Sequence, residues 1–190
     1  MATVQDIYSW VDGFAPFETA MSFDNPGLLV GDENQVVTRA VVSLDITPAV
    51  VEEAAALGAQ LIVSHHPVIF RPLKRLNSAS VPYRLAQNGI SAVCAHTNLD
   101  MAAGGVNTCL AERLGLHHAE MLKEYENSGL PEGLVGELDD SYSPEEFARY
   151  VKENLGCDGL RYVPGKDPVK KVALCGGGGA DLLYDAVRCV

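Results

Sequence analysis

Residues 39–67 read RAVVSLDITPAVVEEAAALGAQLIVSHHP, and the fold follows from them. Arg39 to Ile46 is a β-branched, apolar run of the kind that forms a buried strand. Thr47 is placed to cap a helix, Pro48 suits its first position, and Gly58 suits its end. Gln60 to Val63 is a second apolar strand. Strand, helix and strand in so short a span make a βαβ unit, which requires a parallel pair.

Working outward, Ser80 to Gly89 reads as a short helix and Ile90 to Ala95 as a third strand. Gly105 to Leu114 is a further helix with Gly115 at its C-terminal side. Lys123 to Gly133 is polar and carries Gly and Pro. It is expected to separate an N-terminal lobe, residues 1–122, from the start of a second lobe, residues 123–190. Beyond it, Leu134 to Leu138 reads as a strand, and Ser143-Pro-Glu-Glu146 is a capping box opening a helix to Asn154. Leu160 to Val163 and Val169 to Cys175 read as strands, followed by Gly176 to Gly179 and a helix starting at Ala180. At the other end, apolar residues at 4, 7, 8, 10 and 11 have helical spacing. The expected fold class is α/β, with mixed or parallel sheets.

Composition bounds the function. The chain is 47% hydrophobic and 21% charged, ordinary for a globular protein. No stretch approaches the roughly 18 apolar residues of a membrane span, and the first residues lack the basic and apolar regions of a secretory signal. The five cysteines are scattered, with no C-x-x-C pair, the pattern of reduced thiols in a cytoplasmic protein. A net charge of −11 argues against nucleic acid and suits a protein that holds divalent cations among carboxylates.

The chemistry sits where strands end. In open α/β sheets, functional groups collect beyond the carboxyl edge of parallel strands. Three tails reach that edge: Ser43-Leu-Asp45, Ser64-His-His-Pro67 and His96-Thr-Asn-Leu-Asp100. His65 and His66 are adjacent, and Pro67 favours an extended or turn geometry before it. In such a turn the two imidazoles can diverge onto two ions about 4 Å apart. Asp100 can bridge or ligate, and His96 is either a ligand or a hydrogen-bonder to ligands. The plainer reading makes these histidines structural hydrogen-bonders. His117 and His118 follow a helix end and are expected to be solvent-exposed. Gly176, Gly177 and Gly178 lie between strand and helix, where either an anion cradle or a tight turn belongs. A Cys94–His96 hydrolytic pair is disfavoured, because Cys94 is embedded in an apolar run.

Asp24-Asn-Pro-Gly-Leu-Leu-Val-Gly31, Ser64-His-His-Pro67 and His96-Thr-Asn-Leu-Asp100 resemble three signatures of the NIF-three-like dinuclear-metal-centre proteins, also described as GTP cyclohydrolase 1 type 2 homologues. The likeness extends to Val135-Gly-Glu-Leu138 and Cys175-Gly-Gly-Gly-Gly-Ala180. It implies two similar α/β lobes, a ring-shaped homohexamer, and two divalent ions (Zn, Fe, Mn or Co) held by His65, His66 and Asp100, with His96 in the same motif. The family's site is completed by a later His and Glu that this sequence lacks, so a longer form is expected to be the active one. The activity implied is metal-dependent hydrolysis of a nucleotide or related small molecule. The alternative is a metal-binding scaffold without catalysis.

Overall fold

The computed structural model describes all 190 residues, which form two compact units, Met1–Leu99 and Asp100–Val190. The first contains β1 (Ala2–Thr3), α1 (Val4–Phe14), β2 (Gly27–Val30), β3 (Val36–Val37), β4 (Ala40–Ser43), α2 (Pro48–Ala56), β5 (Leu61–Ser64), α3 (Val81–Gln87) and β6 (Ser91–Cys94). Helix α4 (Thr97–Met101) crosses the boundary.

The βαβ unit forms as its residues dictate. The Thr47 side chain accepts from Val50 N–H, Pro48 opens α2, and Gly58 turns the chain out of it at a φ of 65°. Strands β4, β5 and β6 are parallel, in the sheet order β2-β6-β5-β4. Both faces are covered, as a parallel sheet requires. Ile62 packs with Val51, Ala54 and Leu85 on one side, while Leu61 and Val93 pack with Val4 on the other. This one-residue alternation is why the run is apolar throughout.

Strand β2 was not foreseen. Its Leu28-Leu-Val30 core is short, and it pairs antiparallel with β6, so the sheet is mixed. At Gly31 φ is 110°, and a Cβ there would stand 2.0 Å from Ser91 Oγ, so only glycine fits.

The register places the site. Ser43 pairs with Ser64, and Ser64 with Cys94, so the three parallel strands end level. The tails carrying Asp45, His65, His66 and His96 therefore leave one edge of the sheet together.

The second unit holds α5 (Val106–Arg113), β7 (His117–Glu124), β8 (Pro131–Tyr142), α6 (Pro144–Leu155), β9 (Val169–Leu174) and α7 (Leu183–Cys189). Its sheet, β7-β8-β9, is antiparallel throughout. Lys123–Gly133, where a lobe boundary was expected, lies inside the second unit, Asp100–Val190. Its polar, glycine-bearing composition serves a hairpin instead, closed by Tyr125 N–H to Leu130 O, with Glu126 and Asn127 at positive φ. Composition alone does not distinguish a turn from a linker.

Leu160–Val163 is not a strand. It is irregular, and its apolar side chains line a recess with Phe147 and Val151 of α6 rather than joining a ladder. The capping box at Ser143 and Glu146 is present, and Gly156 ends α6 in the left-handed region. His117 and His118 are exposed, as expected, but begin β7. No helix is long and apolar enough to cross a membrane.

Candidate metal centre

His65, His66 and His96 converge. Ring centroids are 5.0 Å apart for His65–His66, 5.1 Å for His65–His96 and 5.6 Å for His66–His96. One ligand nitrogen from each lies within 4.8 Å of the others. Adjacent histidines achieve this because the chain turns sharply after β5. His65 and His66 N–H groups bond to the Ser43 and Leu44 carbonyls. Their own carbonyls accept from the Cys94 thiol and the Ser64 hydroxyl, each at 2.9 Å.

Every imidazole is oriented through the same ring nitrogen. His65 Nδ1 lies 3.0 Å from the Ala95 carbonyl, His66 Nδ1 2.8 Å from Asp45 Oδ1, and His96 Nδ1 2.8 Å from Asp24 Oδ1. A carbonyl or carboxylate oxygen only accepts, so Nδ1 is the donor in each ring, which in a neutral imidazole places the lone pair on Nε2. That tautomer is the one a metal ligand needs.

Asp24 does the most of these partners and was read from the sequence only as part of a motif. Its side chain is fully buried. Besides His96, its carboxylate accepts from Thr97 N–H at 3.0 Å, Thr97 Oγ1 at 2.5 Å and Asn25 N–H at 2.7 Å. Burial alone would push this carboxyl up, but the bonds from His96, Thr97 and Asn25 outweigh it and bring it down to about 2. The remaining motif residues brace the same turn. Asn98 is buried, accepts from His96 N–H and donates to Ala15 O. The signal available in the sequence was the spacing of Asp24 before Pro26-Gly27, but nothing local pairs it with His96.

Asp100 lies on α4 and belongs to the second unit, with Oδ1 buried. A Cβ on Gly176 would stand 3.2 Å from that oxygen. The glycine segment is a turn. Gly176 N–H donates to Asn107 Oδ1 at 2.7 Å, Gly177 has a φ of 67°, and a short 3₁₀ turn, Gly179–Leu182, follows. Cys94 is buried and its thiol is spent on the His65 carbonyl. Burial, reinforced by Asp24 and only partly offset by Ser64, pushes it up to about 12, which removes it as a nucleophile.

A family model described as Duf34/NIF3 (NGG1p interacting factor 3) matches residues 2–189. The chain belongs to this family. It is 34% identical over 191 residues to a Clostridium perfringens protein named GTP cyclohydrolase 1 type 2 homolog, covering 97% of this chain and 73% of that protein. Among solved structures, a Bacillus cereus protein related to NIF3 superposes with a TM-score of 0.90 at 26% identity, covering 99% of this chain and 80% of the other. A Staphylococcus aureus hypothetical protein gives 0.88 at 30% identity, covering 98% and 75%.

Proposed function

We propose that this Duf34/NIF3 chain binds two divalent metal ions through His65, His66, His96 and Asp100, and that the centre hydrolyses a nucleotide or a related small molecule. The observation that carries this reading is the set of three imidazoles with ligand nitrogens within 4.8 Å, each turned by a partner on Nδ1. The donor set fits. Neutral imidazole with carboxylate suits Zn, Fe, Mn or Co. Three such nitrogens within 4.8 Å of one another are close enough to serve one divalent ion or two neighbouring ones.

When bound, the ions would supply Lewis-acid polarisation and an acidified water. The chain's own part is orientation. Asp24, Asp45 and the Ala95 carbonyl hold the three rings in one tautomer, which keeps Nε2 basic and aimed. Asp100 supplies negative charge to balance the cations, a role that follows from its place in the His96–Asp100 motif. The nucleotide reading is supported by the name of the C. perfringens relative. A ring-shaped homohexamer, implied by family resemblance, is part of the same proposal.

Elemental mass spectrometry after gel filtration tests it. Wild type should carry at least about one metal equivalent per chain at the elution volume of a hexamer, and His65→Ala/His66→Ala should carry none. Folded wild type without metal would sink the reading. GTP turnover by the metal-loaded chain, above the double variant, separates a hydrolase from a metal-binding scaffold.

A further inference from the structure

Two phenylalanines near the imidazoles keep much of their surface exposed. Phe23 is 63% exposed and Phe70 41% exposed. Their rings meet edge to face, with centroids 6.4 Å apart, and Phe70 meets His96 in the same way, also at 6.4 Å. An aromatic path therefore runs from the surface through Phe23 and Phe70 to an imidazole of the metal centre.

The two loops carrying these rings are fastened. Asn25 Nδ2 donates to the Ile69 carbonyl at 2.6 Å, tying the residue two beyond Phe23 to the residue just before Phe70. Asp24, next to Phe23, grips His96 and Thr97, and Met21 N–H donates to Thr97 Oγ1 at 2.9 Å. Two exposed apolar rings are thus held at a defined place relative to the imidazoles, which is how a recognition surface is built.

Charge points the same way. The chain carries −11 overall, yet residues 54–99 contain no Asp or Glu, and Arg71, Lys74 and Arg75 follow directly after Phe70. All three are exposed. A positive loop in an acidic protein draws anions to that spot.

We infer that Phe23 and Phe70 form a stacking subsite for a planar heteroaromatic ring, and that Arg71, Lys74 and Arg75 attract the anionic group that ring carries. This rests on the metal-centre reading for what becomes of the bound molecule, and names the residues that select it. Ring faces accept any flat π-system, so the subsite selects for the ring and the basic loop for the charge.

Isothermal titration of the full chain, with and without added Mn²⁺, compares guanosine 5′-monophosphate with ribose 5-phosphate. Wild type should bind the ring-bearing phosphate about tenfold or more tightly than the ringless one. Phe23→Ala/Phe70→Ala should erase that preference with metal content and circular dichroism unchanged, and Phe70→Tyr should keep it. Arg71→Ala/Lys74→Ala/Arg75→Ala should weaken both ligands and flatten their salt dependence. Equal binding of the two ligands by wild type overturns the inference, as does a preference that survives the double phenylalanine variant. A triple variant with unchanged affinities overturns its anionic half. Wild type that holds no Mn²⁺ but still prefers the ring would remove the proposed function and leave the subsite standing.

Discussion

The carboxyl ends of β5 and β9 carry the most distinctive segments of the chain, Ser64-His-His-Pro67 and Cys175-Gly-Gly-Gly-Gly-Ala180. At the end of β5, each ring is held by a second group, His65 by the Ala95 carbonyl and His66 by Asp45, and Asp24 does the same for His96 at the neighbouring end of β6. At the end of β9, the arrangement runs the other way. The Gly176 amide is consumed by Asn107, and a Cβ on Gly179 would stand 2.5 Å from Cys175 Sγ. One segment presents ligand atoms, and the other uses its smallness to turn the chain. Unusual residues at a strand end become a site only when their surroundings orient them outward.

Three variants probe this contrast, and a fourth, at the α6 cap, stands outside it. The largest effect belongs to His65→Ala/His66→Ala, which should abolish metal binding, as equilibrium dialysis reads it; metal retained at wild-type level would erase the difference between the two strand ends. Next comes Asp24→Asn, which keeps the shape but leaves too few acceptors for His96 and Thr97. Metal affinity should fall roughly 10- to 100-fold, and urea unfolding should show a stability loss of about 1–3 kcal/mol.

At the β9 end, Asn107→Ala should cost about 1–2 kcal/mol in thermal or urea unfolding, because the Gly176 amide loses its acceptor. A neutral result would mean that this amide is not committed and that the glycine turn is open to an anion. The smallest effect lies away from both ends, at the α6 cap. Hydrogen bonds from the Ser143 side chain and backbone hold the Glu146 carboxyl below its ordinary value. Its contribution is therefore present above the ordinary range and is lost as pH falls through the lowered value. Between roughly pH 5 and pH 3 the wild type should lose stability more steeply than Glu146→Gln, measured by circular dichroism during acid titration.

Where sequence reading succeeded, the causes were local. Thr47, Pro48 and Gly58 specify a helix from within one turn of its ends, and Ser143 with Glu146 caps α6 by the same short-range logic. Where it failed, the cause lay in a distant partner. Leu28–Val30 is a strand because β6 lies beside it, and Leu160–Val163 is not one because it joins no ladder and lines an open recess beside α6. The middle of Lys123–Gly133 is a turn because the segment's own ends pair, Lys123 with Gly133 and Glu124 with Pro131.

The sequence by itself determined the βαβ unit, the parallel pair and the placing of His65, His66 and His96 at strand ends, since periodicity and capping act over a few residues. Tertiary structure alone decided that the three strands end level and that Asp24, 72 residues before His96, turns its imidazole. It also decided that Phe70 stands exposed beside that ring, with Phe23 against Phe70. Hydrogen-bond direction and ring contact depend on groups brought together through space, and no local pattern along the chain encodes them.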